Sequence, residues 1–117
     1  RLEDGETPLQ AAVRETYEEV GLSISDLREV ALLQFAFTNG YLLEVTVFLT
    51  ESFTGVPLET DEALPFWAPR DEIPYDQMWA DDVLWLPRVL AGEHIHGQFV
   101  FDEDEMLESS VVQRLPS

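Results

Sequence analysis

At 117 residues, with 45% hydrophobic and 11% aromatic content, the chain can bury one core and has no room for a second. Its 24 Asp and Glu against 6 basic residues give a net charge of −18, which repels bare nucleic acid and anionic lipid alike. The absence of cysteine excludes disulfides, thiolate metal sites and a cysteine nucleophile, and no apolar run approaches the ~20 residues that span a bilayer.

Residues 3–7 read as a turn. Thr7 suits an N-cap, Pro8 the first helical position, and Gln10 the far corner of a capping box. Leu9, Ala12, Val13, Thr16 and Val20 then recur near a 3.6-residue period, which predicts a helix that Gly21 stops. Val30 to Phe37 is β-rich, Asn39-Gly40 is a strong hairpin signal, and the return strand runs from Leu42 to Thr50. A loop with Gly55 and Pro57 leads to Thr60-Asp61-Glu62, followed by a short strand expected over Ala63 to Ala68. A second helix is expected from Asp76 or Asp81 to Leu90, ended by Gly92. Gly97 to Phe101 and Glu105 to Val112 form a last hairpin around Asp102-Glu103-Asp104. The sum is one α+β domain over residues 1–117, with a mixed sheet and two main helices. Phe48, Phe66 and Trp67 are expected in its core.

All six basic residues are Arg, and Lys is absent. Carboxylate excess without Lys suits concentrated salt, where self-repulsion is screened; an Arg-biased genome gives the same composition. Arg1 is not Met, and the first residues already read as a motif interior, so an upstream segment is expected.

Glu15, Glu18 and Glu19 stand at i, i+3 and i+4, on one face of the first predicted helix. Three like charges so close oppose helix formation unless water screens them or a cation neutralises them. Hard divalent cations take oxygen ligands, and Mg²⁺ combines carboxylates with substrate phosphates. Arg14 lies four residues before Glu18 and beside Glu15, placed to orient a carboxylate. In a chain this acidic, Glu-x-x-Glu-Glu taken alone is more often a plain solvated face than a metal site.

The longer string is more specific. Glu6 is followed after seven residues by Arg14-Glu15-Thr16-Tyr17-Glu18-Glu19-Val20-Gly21-Leu22. This resembles the box of the Nudix hydrolases, G-x5-E-x7-R-E-U-x-E-E-x-G-U with U aliphatic. The opening glycine would precede Arg1, and Thr16 stands where an aliphatic residue is usual. The resemblance implies an α/β/α sandwich around a mixed sheet. It also implies hydrolysis of a nucleoside diphosphate linked to another group, with Mg²⁺ or Mn²⁺ held by Glu15, Glu18 and Glu19. Glu6 and Arg14 match the pair that holds loop and helix rigid. The resemblance also implies an N-terminal strand, a base-contacting Asn and a metal-binding glycine carbonyl, which would precede Arg1 and are not in this sequence.

Beyond the box, the chain is similar to the family branch that acts on oxidised purine nucleoside triphosphates. Gln34-Phe35-Ala36-Phe37, Glu44 to Phe48, Thr60-Asp61-Glu62, Pro65-Phe66-Trp67 and Met78 to Asp82 carry the likeness, with Trp85-Leu86-Pro87 and His96-Gly97. Ala80 replaces a usual Pro. That likeness implies that Asp81 and Asp82 read the base edge, that Trp79 stacks on the base, and that Phe35 and Trp85 wall the pocket. Glu62 matches a further acidic position, a ligand or a water-activating base. Adjacent carboxylates near an apolar pocket do not both ionise easily, so the pair is expected to share a proton. An Asp pair before a helix is also a common cap. His94 and His96 are expected to be structural or exposed, since Mg²⁺ does not favour imidazole.

The expected activity is Mg²⁺-dependent conversion of 8-oxo-dGTP or 2-hydroxy-dATP to monophosphate and pyrophosphate, in a cytoplasmic monomer that binds neither nucleic acid nor membrane. Other substrates (an undamaged dNTP, ADP-ribose, a methylated purine triphosphate) and a non-catalytic nucleotide- or protein-binding module are the alternatives.

Overall fold

In the computed structural model, residues 2–61 and 65–116 are described. Helix α1 spans Pro8–Val20, and its ends follow the sequence signals closely. The Thr7 hydroxyl accepts from the Gln10 amide at 3.1 Å, and the Gln10 side chain accepts from the Thr7 amide at 2.9 Å. Two otherwise orphaned N–H groups are thereby satisfied. At the other end Gly21 turns left-handed at φ 77°, and its N–H bonds the Tyr17 carbonyl. An L side chain there would be strained.

The chain groups into two compact units, Arg1–Arg28 with Phe48–Ala68, and Glu29–Val47 with Pro69–Ser117. The first holds α1 and a small antiparallel pair, β1 (Ser23–Ser25) and β4 (Ser52–Thr54), with Ile24 opposite Phe53. The loop after β4 closes on the helix end: Leu58 N–H bonds the Val20 carbonyl at 2.9 Å, and the Thr60 hydroxyl bonds the Glu19 carbonyl at 2.5 Å. Two of the helix's terminal carbonyls are satisfied in this way.

The expected strand over Ala63 to Ala68 is not found. Glu62, Ala63 and Leu64 lie outside the described residues, and 65–68 form no strand. Pro65 and Pro69 lack the amide donors that a sheet ladder needs. Phe66 and Trp67, expected in the core, are 71% and 68% exposed. Trp67 packs instead on Phe53, with ring centroids 5.5 Å apart. Phe48 is half-buried.

The second unit is built on a four-stranded sheet in the order β3-β2-β5-β6. Its strands are β2 (Arg28–Phe37), β3 (Leu42–Leu49), β5 (Ile95–Phe101) and β6 (Leu107–Arg114). Thr38 to Tyr41 turn β2 back into β3, with Gly40 at φ 94°. β2 runs parallel to β5 and β5 antiparallel to β6, so the sheet is mixed. Helix α2 covers Asp82–Leu90, preceded by a single 3₁₀ turn at Tyr75–Gln77. The core is Val30, Ala31 and Leu33 of β2, Trp85 and Val89 of α2, and Ile95, Phe99 and Phe101 of β5.

Parallel pairing sets Leu33 beside Gly97, Phe35 beside Phe99 and Phe37 beside Phe101. The rings stack along this register: Phe35 on Phe99 at 5.4 Å, and Phe37 on Phe101 at 5.8 Å. Gly97 makes room for them, since a Cβ there would lie 2.8 Å from Phe99 Cε2. The other face of the sheet is polar at its centre. Gln34 Oε1 bonds His96 Nε2 at 3.0 Å and accepts from Gln98 at 3.2 Å, while Gln34 Nε2 donates to Glu44 at 3.1 Å. His96 thus forms part of the hydrogen-bonded network on this face of the sheet.

Candidate active site

Two groups of residues carry chemistry, one in each unit. In the first, Arg14 organises the acidic helix. Its Nε and Nη2 donate to Glu6 Oε2 and Oε1 at 2.9 and 3.1 Å, a two-point clamp of the kind that planar guanidinium favours. Nη1 donates to Glu18 Oε2 at 2.9 Å, and Glu3 lies 3.2 Å from Nε. The Glu6 carboxyl is held below the usual carboxylate range by the Arg14 hydrogen bonds and the Glu3 backbone bond, and the Arg14 pKa is raised in return. The pairing of Glu6 with Arg14 is thus present in the structure.

Glu15 and Glu19 are half-buried, and Glu18 is 54% exposed. All three sit in the last turns of α1, where no basic residue of the last turn offsets the negative end of the helix dipole. Among the described residues, no three Asp, Glu or His side chains are gathered into a metal cage. The expected convergence of the three carboxylates is therefore not seen. Glu18 is instead paired with Arg14. The donor set still suits a hard divalent cation, because it offers carboxylate oxygens and nothing softer. Glu62, the fourth expected ligand, lies outside the described residues; Thr60, two positions before it, is bonded to the Glu19 carbonyl.

The second group surrounds a cavity of about 370 Å³. Alternate residues of β2 (Leu33, Phe35, Phe37) and of β3 (Leu43, Val45, Val47) line it, with Phe101 of β5. Trp79, Asp81, Asp82 and Trp85 close it from the start of α2. All five expected base-pocket residues meet here. The aliphatic and Phe lining was missed, because residues spaced by two along a strand read simply as core. Trp79 is 48% exposed and stands edge-on to Phe101 at 5.4 Å and 86°, leaving indole surface to the solvent.

Asp81 occupies the N-cap position of α2 but makes no capping bond. Its carboxylate, 3% exposed, accepts the Trp85 indole N–H at 2.8 Å instead. The Asp81 side chain is therefore not the cap of α2. Burial, the neighbouring Asp81 charge and a hydrogen bond to Asp81 together push the Asp82 carboxyl up to about 6. Below that point Asp82 keeps its proton and presents a neutral carboxyl beside Asp81. An aromatic-walled slot with one donor and one acceptor at its end can hold a flat heterocycle and read its edge.

A model of the NUDIX domain family matches residues 1–89. A curated relative from Danio rerio, named oxidized purine nucleoside triphosphate hydrolase, is 38% identical over 108 residues, which is 92% of this chain and 69% of its own length. A relative of the same name from Mus musculus is 35% identical over 113 residues, 95% of this chain and 72% of its own length. Among solved structures, the mutator MutT protein from Bacillus halodurans superposes with a TM-score of 0.84 at 23% identity, covering 96% of this chain and 77% of that one. At that identity the likeness is one of fold.

Proposed function

The chain belongs to the Nudix hydrolase family, and from that premise we propose that it hydrolyses oxidised purine nucleoside triphosphates such as 8-oxo-dGTP and 2-hydroxy-dATP to monophosphate and pyrophosphate. The observation that carries this reading is the cavity of the second unit. Its walls are aromatic and aliphatic, and its only titratable lining groups are Asp81 and Asp82, among the described residues. The names of the two curated relatives support the same substrate class.

In this reading the purine lies against the Trp79 indole, with Phe35 and Trp85 as walls of the pocket. Asp82 below its pKa of about 6 donates from its carboxyl O–H, and Asp81 accepts. Bound ligand stabilises the protonated form further, because the donated hydrogen bond requires it. Glu15, Glu18 and Glu19 would hold Mg²⁺ or Mn²⁺, with Glu62 as a further ligand or as a base toward water. The cation, when bound, offsets phosphate charge, polarises the phosphorus and acidifies water. Arg14 keeps Glu6 and Glu18 in fixed positions throughout.

Chelation followed by metal return tests the proposal. EDTA abolishes pyrophosphate release and Mg²⁺ or Mn²⁺ restores it, while Glu18→Gln and Glu19→Gln each lower turnover by orders of magnitude. Near-parental rates in both variants would overturn the assignment of the helix.

A further inference from the structure

The last turn of α1 carries Glu18 and Glu19 at the end of the helix least suited to them. Carboxylates there oppose both the helix dipole and one another, and no basic residue of that turn compensates. Helix ends fray, and fraying here would carry the proposed ligands away from each other. What holds this end comes from far along the chain. The Thr60 hydroxyl donates to the Glu19 carbonyl at 2.5 Å, and the Leu58 N–H to the Val20 carbonyl at 2.9 Å. We infer that Thr60 is a positioning residue for the divalent cation of the acidic helix: its hydroxyl pins the turn that presents Glu18 and Glu19, and metal affinity depends on that pin. The inference rests on the metal reading of this helix and adds what keeps its carboxylates in place.

The two carboxylates of the turn are held differently. Arg14 reaches the Glu18 side chain directly, at 2.9 Å. Among the described residues, no hydrogen bond or ion pair holds the Glu19 carboxylate. Its place is set by the backbone that carries it, and Thr60 bonds the carbonyl of that same residue. Of the last four carbonyls of α1, that of Tyr17 accepts from the Gly21 N–H, and those of Glu19 and Val20 are satisfied only by the loop. Glycine at 55 permits the close approach of the two segments, since a Cβ there would stand 3.1 Å from the Gly21 carbonyl oxygen. Thr60 is half-buried, so its bond to Glu19 is partly shielded from competing water.

The coupling runs both ways. A cation that binds Glu18 and Glu19 in the docked turn must stabilise the docking in return, because linkage is reciprocal. A cap that served the fold alone would show no such response.

Binding of Mn²⁺ without nucleotide, followed by the electron paramagnetic resonance signal of the free ion, tests this without turnover. On a chain of charge −18 the cation also gathers loosely elsewhere, so the helix site is the binding that Glu19→Gln removes. Thr60→Val keeps the branched shape of the side chain and removes its donor. Its Kd at the helix site should rise roughly three- to tenfold, the scale of one net intramolecular hydrogen bond. Thr60→Ser keeps the hydroxyl and should bind as the parent does. In the parent, Mg²⁺ should slow hydrogen exchange at the Leu58 amide, which leaves the Val20 carbonyl when the turn is released. Parental Kd in Thr60→Val overturns the inference, whatever its Tm. If that variant does not fold, Leu58 exchange in the parent decides, and a rate indifferent to Mg²⁺ overturns it. If Glu19→Gln removes no Mn²⁺ site at all, the metal reading of the helix falls and takes this inference with it.

Discussion

Replacing Gly97 with Ala adds one methyl group at the point where the sheet is tightest. The new Cβ would stand 2.8 and 3.0 Å from Phe99 Cε2 and Cζ, and 3.1 Å from Leu33 Cδ2. Carbon atoms prefer about 3.5–4.0 Å, so all three contacts are compressed. Phe99 has little freedom to retreat, being 1% exposed and stacked on Phe35. Overpacking of this kind costs about 1–3 kcal/mol, and the stiffer unfolded chain returns about 0.4–1 kcal/mol. A net loss of about 1–2 kcal/mol lowers Tm by roughly 4–8 °C in a domain of this size. Phe35 is also a wall of the cavity. The shift of Phe99 should therefore raise KM for oxidised purine triphosphates several-fold while kcat at saturation stays near the parental value. Calorimetry and steady-state kinetics on the same preparation check both halves. A Tm within about 2 °C of the parent would refute the packing argument.

The other expectations follow from charge. Arg14→Lys keeps the charge but not the planar fork that reaches Glu6 at two points and Glu18 at a third; activity should fall roughly 10–100-fold, as for a lost partner of a proposed metal ligand, and Tm should fall modestly because the Glu6 pair is part-buried. Asp82→Asn should raise Tm above pH 6 and leave it unchanged near pH 3. The raised pKa means the folded state holds a proton that the unfolded chain has released, so stability contributed by that proton is lost as pH rises from about 4 through 6. The same variant should change the discrimination between 8-oxo-dGTP and 2-hydroxy-dATP. With a net charge of −18 and no Lys, Tm should climb from low salt to molar KCl; a flat or falling trend would remove the salt argument and leave the site untouched.

Where the sequence was legible, a local signal and the tertiary contacts agreed. Thr7, Pro8, Gln10 and Gly21 marked both ends of α1 because caps act within a few residues. Asn39-Gly40 and Asp102 to Asp104 marked turns for the same reason, with Asp102 Oδ1 accepting from the Asp104 and Met106 amides. β1 and β4 escaped notice: each is three residues long, with no period to detect, and pairing across the intervening chain defines them. The strand expected at Ala63 to Ala68 rested on apolar composition, which in Phe66 and Trp67 marks exposed rings. At the site, Asp81 and Asp82 were legible as a pair, but the N-cap position alone could not tell a cap from a reader of ligand. The Trp85 contact shows that the Asp81 side chain does not cap α2, and a spacing of four residues shows that such a contact is geometrically open without showing that it is made.

Hydrolysis of oxidised purine nucleotides is tested most directly by kcat/KM for pyrophosphate release across 8-oxo-dGTP, 2-hydroxy-dATP, dGTP and ADP-ribose in Mg²⁺. The oxidised purine triphosphates should be preferred over dGTP by at least roughly tenfold, the discrimination that one hydrogen bond in a buried site supplies, and ADP-ribose should be turned over poorly. Equal rates on 8-oxo-dGTP and dGTP, or a preference for ADP-ribose, would contradict the assignment.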